Sequence, residues 1–440
     1  MAADKKQESA GLSLRARTAL AIYRLSFGVA GLAAAATVPW LSLYSRRVKE
    51  GFADFLGQVS RCDGRQIFWI HAVSMGEAMV AYGFVAELKR EFKDCKIIFT
   101  STHPDVIAGA RKRGLASVTA YFPLDTQISM SRAFERWQPS AVFVSETDFW
   151  PEFSTQCRQR KIPLYLLNGR ISISLAAFYQ QFPGLSELVF SAYSLLAVQT
   201  ETDASRLQMM GVESGRIAVM GNMKADLTVA PGSVDLNPFK NWFASRQAVV
   251  MGSLHPPEFK MLLPAIKSLA ASGRALIVAP RNPAFAAEWQ QILRGEGIET
   301  CLRSGNIVSS SVLLLDTMGE LAAVYALATV ALVGGSLVGD VGGHNPLEVI
   351  QQSVPLLMGP NCRNFADLVG ELKKADAMIC CGDCTEVENA INRLLDNSDL
   401  AAAMTSRANQ VLAANKGALF RTLQLIKEHF LNHFPPKIRL

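Results

Sequence analysis

Residues 66–77 read QIFWIHAVSMGE. An apolar run without alternation is followed by a turn of small residues and then by Ser74-x-x-Glu77, the spacing of a helix capping box. Such a run is what a parallel strand buried on both faces looks like. The unit recurs along the chain as KIIFTST (96–102), SAVFVSE (140–146), IPLYLLN (162–168) and SLLAVQT (194–200). It returns as AVVMGSL (248–254), RALIVAP (274–280), SVLLLD (311–316), TVALVGG (329–335) and VPLLM (354–358). Each run leads through a polar or glycine turn into an amphipathic stretch, which predicts βαβ units and doubly wound α/β sheets. The alternation lapses over residues 222–247, where Pro231, Gly232 and Pro238 stand without a strand–helix unit. Two Rossmann-like domains facing a cleft are therefore expected, over 51–228 and 248–410, joined by a linker at 229–247. A tail and anchor fill 1–50. Residues 411–440 form a closing helix and tail, one helix of which crosses back to the first half.

Composition narrows the class. The 440 residues are 50% hydrophobic and 19% charged, below the roughly 25% charged of an average soluble protein. Disorder, collagen and coiled coil are excluded, and there is ample material for large cores. A net charge of +6 is too weak and dispersed for a nucleic-acid partner, but suits a surface facing anionic lipid. The eight cysteines are scattered over a long chain, which predicts reduced thiols and a cytoplasmic catalytic body.

From Leu25 to Ser45 no residue is charged, while Arg24 and Arg46-Arg47 flank the stretch. Its 21 positions just reach across a hydrocarbon layer of about 30 Å. A membrane anchor, spanning or partly inserted, is the expectation, with the flanking basic residues pinned to phosphates. A signal peptide cleaved at Ala33–Ala36 and a buried helix are the alternatives.

In open α/β sheets ligands sit at the carboxyl ends of the strands, so the turns after the runs are where chemistry is sought. Capping alone accounts for Ser74 and Glu77; the functional alternative is a general base at a strand end. Glu146 follows a strand directly, as a helix-start charge or as a second reactive carboxylate. Pro280-Arg281-Asn282 ends a strand and opens a helix, a place to hold phosphate, although an ordinary surface arginine fits too. Thr317-Met318-Gly319-Glu320 repeats the capping spacing, with Gly319 allowing close backbone approach. The strongest local signal is GGSLVGDVGGHNPLE (334–348), a glycine-rich loop running into Asn345 as N-cap, Pro346 as N1 and Glu348 as N3; such a loop and helix end can receive phosphate or ribose, or serve structure alone. Cys381-Gly-Asp-Cys384 lacks a partner pair for structural zinc, and His429 with His433 reads as solvated helix. P-loop and α/β-hydrolase motifs are missing, and no D-x-D motif points to a metal-held diphosphate.

Taken in order, HAVSMGE, FTSTHPD, SETDFWP, NGRIS, VQTETD, GNMKAD, MGSLHPPE, APRNP, DTMGEL and GGSLVGDVGGHNPLE resemble the lipid A Kdo transferases, the 3-deoxy-D-manno-octulosonic-acid transferases of Gram-negative bacteria. The likeness runs from roughly residue 60 to 365, plus the N-terminal anchor. The resemblance implies a GT-B fold, CMP-Kdo as donor, tetraacylated lipid IVA as acceptor, no metal or other cofactor, and the cytoplasmic face of the inner membrane. It implies that Glu77 is the proton acceptor and that Glu146 and Lys224 stabilise the transition state. CMP-Kdo binding falls to Pro280, Arg281, Met318, Gly319, Glu320, Asn345, Pro346, Leu347 and Glu348. The chain departs from the family pattern at Asn168-Gly169-Arg170 (usually NAR), at Asp148-Phe149 (an ETELWP-like run) and at Asn282 (PRH). These changes keep the reactive groups and touch pocket shape, so the number of Kdo units added stays open. Another GT-B glycosyltransferase with a different nucleotide sugar, a sugar-nucleotide epimerase, and an inactive nucleotide-binding membrane protein are the rival readings.

Overall fold

The ten quoted runs all become strands whose side chains are buried on both faces. In the computed structural model, which describes residues 11–27, 46–226, 234–243, 246–305, 307 and 310–434, they belong to two units. The first comprises Met1–Leu227 with Asn415–Leu440, the second Thr228–Ala414.

The first unit holds β1 (Ile67–His71), β2 (Lys96–Ser101), β3 (Val118–Tyr121), β4 (Ala141–Ser145), β5 (Leu164–Gly169), β6 (Tyr193–Val198) and β7 (Ile217–Val219). They form one parallel sheet in the order β3-β2-β1-β4-β5-β6-β7. Alternate residues of β1 enter opposite cores. Trp69 packs edge-on against Trp137 with centroids 4.6 Å apart, while Phe68 faces Phe143 and Phe430 on the other side. The second unit repeats the plan with β8 (Ala248–Leu254), β9 (Ala275–Pro280), β10 (Thr300–Leu302), β11 (Val312–Leu314), β12 (Val330–Val333), β13 (Leu356–Met358) and β14 (Ile379–Cys380). Its parallel order is β10-β11-β9-β8-β12-β13-β14. The chain reverses its direction of sheet growth between β1 and β4, and again between β8 and β12. These are the switch points at which open sheets leave a crevice. Both units are parallel α/β folds of the kind found in GT-B glycosyltransferases.

Three expectations need correction. The segment expected as a linker contains the helix Asn237–Phe243, whose Phe239, Trp242 and Phe243 are buried. Aromatic residues at that density pack whatever the prolines nearby suggest. The boundary expected at 410/411 falls inside the helix Ser398–Asn415, and the first unit resumes just before Gly417, which takes a left-handed φ of 80°. The His429–His433 pair is not simply solvated. His429 is half-buried with its Nδ1 3.1 Å from the Tyr165 hydroxyl, and burial, then His433, pushes it down to about 4. Of the expected anchor, residues 25–27 end a helix over 14–27, and residues 28–45 lie outside the described residues. Among the described residues no helix is long and apolar enough to cross a membrane.

The closing helix, Ala418–His433, belongs to the first unit. Leu419, Leu423, Ile426 and Phe430 line one face and enter the core around Phe68. Its start is fixed by Asp226, whose carboxylate accepts the Gly417 N–H at 2.6 Å and the Leu419 N–H at 2.7 Å. Phe430→Ala should therefore lower the unfolding free energy by about 3–5 kcal/mol, read from denaturant midpoints. A loss below about 1 kcal/mol would show that the helix does not seal this core.

Candidate functional site

In the first unit the polar groups gather where β1 and β4 end side by side. β1 closes on His71, which is fully buried. Its Nδ1 lies 2.9 Å from Thr100 Oγ1 and 3.1 Å from the Thr100 carbonyl. Its Nε2 stands 2.6 Å from Asp148 Oδ2, which also accepts the Trp150 indole N–H at 2.7 Å. Burial raises the Asp148 carboxyl, but the contacts with His71 and Trp150 outweigh it and hold the group below its ordinary value.

The helix Met75–Glu91 starts in the turn after β1. Ser74 caps it by accepting the Glu77 N–H at 3.2 Å. The carboxylate of Glu77 does not return the bond to Ser74, as a full capping box requires. It reaches one residue further and accepts the Val73 N–H at 2.7 Å. Glu77 is 9% exposed. Its pKa is raised, first by burial and then by the neighbouring charges of Glu146 and Asp148, against the Val73 N–H and His71. A carboxylate so placed holds a proton more readily than one in water, which suits a general base.

Glu146 is the first residue past β4 and takes a left-handed φ of 60°, as Asn168 does at 54° within neighbouring β5. Left-handed backbone in a glutamate is strained by about 1–3 kcal/mol and tends to cluster at functional sites. The conformation places Glu146 Oε1 2.6 Å from Lys224 Nζ. Asn168 bridges the pair: its Nδ2 donates to Glu146 Oε1 at 3.3 Å, and its Oδ1 accepts the Met223 N–H at 2.8 Å. The backbone of Gly76 runs beside the same lysine, since a Cβ there would stand 3.6 Å from Nζ. Glu77, Glu146 and Lys224 are thus brought together in one polar cluster with His71 and Asp148, two groups outside the expected site residues.

The second unit builds a different arrangement at the ends of β8, β9 and β12. Glu258, on the helix Pro256–Ala271, is fully buried. It accepts the backbone N–H groups of His255 (3.0 Å), Gly335 (2.8 Å), Ser336 (3.0 Å) and Leu337 (2.9 Å). The first part of the glycine loop is therefore folded around an internal carboxylate, which uses three N–H groups that looked available for phosphate. Gly335, with φ 69°, also lets the backbone approach His344, where a Cβ would meet the ring at 2.7 Å. His255 and His344 stack with Nε2 atoms 2.9 Å apart.

Arg281 donates its backbone N–H to the Leu254 carbonyl at 2.8 Å. Burial, then the Arg281 charge and His255, pushes His344 down to about 4. Burial raises Glu348, opposed by the Asn345 bond and by Arg281. Arg281, Asn345 and Glu348 thus share one electrostatic neighbourhood beside Pro280, which ends β9. The helix after the glycine loop is only Leu347–Ile350, with Pro346 at its N-cap and Asn345 Oδ1 accepting the Leu347 N–H at 3.1 Å. Four residues carry little macrodipole, so that helix end is a weaker anion site than its sequence promised. Met318 is exposed, and Glu320 is held by Arg303 at 2.9 Å and by the Thr317 hydroxyl. Gly319 has φ 88° with open space around it, so glycine serves the turn's backbone rather than close packing. No hydrogen bond or ion pair among the described residues links that turn to Arg281 or Glu348. Among the described residues no cluster of three or more His, Cys, Asp or Glu has the arrangement of a metal site.

Residues 46–227 match the model of the 3-deoxy-D-manno-octulosonic-acid transferase (kdotransferase) family. A 3-deoxy-D-manno-octulosonic acid transferase of Haemophilus influenzae is 29% identical over 401 residues, which is 88% of this chain and 93% of the relative. Its counterpart in Chlamydia trachomatis serovar D is 26% identical over 371 residues, covering 82% and 85%. Among solved structures, the UDP-GlcNAc 2-epimerase of Neisseria meningitidis bound to UDP-GlcNAc superposes with a TM-score of 0.61 at 15% identity. That comparison covers 84% of this chain and all of the other, and at such identity it shows a common fold alone.

The geometry assigns Glu258 to the framework. Glu258→Ala strips three buried N–H groups and the part-buried one of His255 of their acceptor, at about 1–3 kcal/mol for each buried group. It should cost on the order of 4 kcal/mol or more, measured by denaturant unfolding. A loss near zero would mean that the loop does not depend on the carboxylate.

Proposed function

The chain belongs to the 3-deoxy-D-manno-octulosonic-acid transferase family, and from that premise we propose that it moves Kdo from CMP-Kdo to the lipid A precursor lipid IVA. It is a Kdo glycosyltransferase. The proposal concerns the nucleotide, the acceptor, the setting at the cytoplasmic face of the inner membrane and the residues that act. The observation that carries it is Glu77: a carboxylate at a sheet's switch point whose pKa is raised by burial and then by two acidic neighbours.

In this reading Glu77 accepts the proton of an acceptor hydroxyl as that oxygen bonds to the anomeric carbon of Kdo. The bond from that carbon to the phosphate oxygen breaks, its electron pair leaves with CMP, and the configuration inverts. The anomeric carbon is tertiary and electron-poor, so the transition state has oxocarbenium character. Glu146 and Lys224, held as an ion pair, fill the stabilising role that the resemblance gives their positions. The charge that develops on the phosphate falls to Arg281, a guanidinium matched to a phosphoryl group. Pro280, Met318–Glu320 and Asn345–Glu348 complete the CMP-Kdo segments. We assign acceptor binding to residues 51–228 and donor binding to 248–410. An acceptor with four acyl chains stays in the bilayer, so residues 25–45 are proposed to bring the enzyme to it, with basic residues favouring the anionic glycolipid.

The test is mass spectrometry of lipid IVA incubated with the protein and CMP-Kdo. A gain of one or more Kdo masses supports the reading and counts the units added. No gain with CMP-Kdo, but transfer from another nucleotide sugar, would overturn the donor assignment. Glu77→Gln should lower turnover on the order of 10²–10⁴-fold while CMP still protects the protein against heat. Because the Glu77 pKa is raised, the unprotonated base is lost as pH falls through that raised value. The acid limb of kcat/KM should thus lie above the ordinary carboxylate range, and a limb at or below it would remove Glu77 as base. Arg281→Ala should weaken CMP binding about 10–100-fold by titration calorimetry; unchanged affinity would take it out of the site.

A further inference from the structure

The helix over residues 14–27 is fastened to the first unit in an unusual way. Leu14, Ile22 and Leu25 are 80, 63 and 72% exposed, so those apolar side chains are not what hold it. Ala16 is fully buried, but the contacts that reach deepest are polar. Arg24 grips Glu152 with two bonds, Nε to Oε2 at 2.8 Å and Nη2 to Oε1 at 3.0 Å. The Tyr23 hydroxyl donates to Asp125 Oδ2 at 2.7 Å. Both carboxylates lie deep, Glu152 fully buried and Asp125 3% exposed. Burial pushes Asp125 up to about 7 against the bonds it receives. Arg24, expected to face lipid phosphate, is thus turned inward to a buried acid.

The two acids are also the start of the helix Pro151–Gln159. Asp125 accepts the N–H groups of Glu152 at 2.9 Å and Phe153 at 2.8 Å, and Gln156 donates to Glu152 at 2.7 Å. That helix opens immediately after Trp150, whose indole holds Asp148, the partner of His71; Glu146 lies two residues earlier. Part-buried contacts at Tyr23, Arg24 and Trp150, buried ones at Asp125 and Glu152, and the short backbone link from Trp150 to Glu152 therefore join residues 23–24 to the turn carrying Glu146 and Asp148.

We propose that Tyr23 and Arg24 are positioning residues for transfer: through Asp125 and Glu152 they fix the Glu146–Asp148 turn against Glu77. The inference rests on the function proposed above. The N-terminal helix is then a working part of the catalytic unit as well as the approach to a membrane segment.

The test compares full-length wild type with Arg24→Met and Tyr23→Phe, using lipid IVA dispersed in detergent so that tethering cannot limit the rate. Misplacement of reacting groups by about 1 Å costs on the order of 10²-fold; kcat should fall about 10–100-fold for Arg24→Met and less for Tyr23→Phe. The deciding readout is the pH profile. Glu77 is faced by Glu146 and Asp148, which raise its pKa, and by His71 and the Val73 N–H, which lower it; Lys224 lies beside Gly76. A loosened turn withdraws the two acids, so the acid limb of kcat/KM should move to lower pH. Fewer folded molecules would scale the profile without moving it, and a scaled or unchanged profile overturns the proposal. Should Arg24→Met fail to fold, Tyr23→Phe, which deletes one hydroxyl, decides by the same shift. Wild type that transfers no Kdo would instead strike the reading beneath it.

Discussion

Both units are governed by one constraint: a parallel sheet covered on both faces has no room for charge along its strands. β1, β4, β8, β9 and β12 bury nearly every side chain they carry. Ionisable groups are therefore pushed to the carboxyl ends, where backbone donors and neighbouring turns can satisfy them. The two sheets place these ends side by side where strand order reverses. His71 meets Asp148 across β1 and β4, and His255 meets His344 across β8 and β12. The polar clusters follow from the strand order that the apolar runs impose.

Within that frame three glutamates at helix starts or strand ends have different fates, set by the number and kind of partners. Glu258 has four backbone N–H groups and serves the loop. Glu146 has a lysine at 2.6 Å and an amide, and forms a fixed ion pair. Glu77 is buried with one N–H from Val73 and two acidic neighbours, and burial followed by those neighbours raises its proton affinity. Ser74-x-x-Glu77 illustrates why spacing alone was ambiguous. The cap is real on the serine side, and the glutamate is left over for other work.

Ten of the strands were legible as apolar runs. The four that were not are β3, β7, β10 and β14, which are the edges of the two sheets. An edge strand is covered less completely and pairs on one side, so it needs neither length nor an unbroken apolar run. β7 is half-exposed throughout, and β14 spans two residues. Of the candidate site, the sequence points to turns where a charged residue stands directly after a run, as at Glu146 and Arg281. His71 and Asn168 were hidden because each ends a run and passes for part of the strand. Glu258 was hidden because three of its four partners lie 77–79 positions away, a distance no local spacing reports. Arg24 looks lipid-facing in the sequence because it borders the apolar stretch, whereas its partner, Glu152, comes much later in the chain.

The return of Ala418–His433 to the first unit makes that unit discontinuous in sequence. During synthesis, residues 228–414 must be made before the helix that covers Phe68 and Phe92 emerges. At about 5–20 residues per second this leaves an aromatic-lined face of the nascent sheet open for on the order of ten to forty seconds. The strands made first are thus sealed by a helix made only after the second unit. A chain stopped between Ala414 and Gly417 would carry its second unit in full and leave its first unit unsealed.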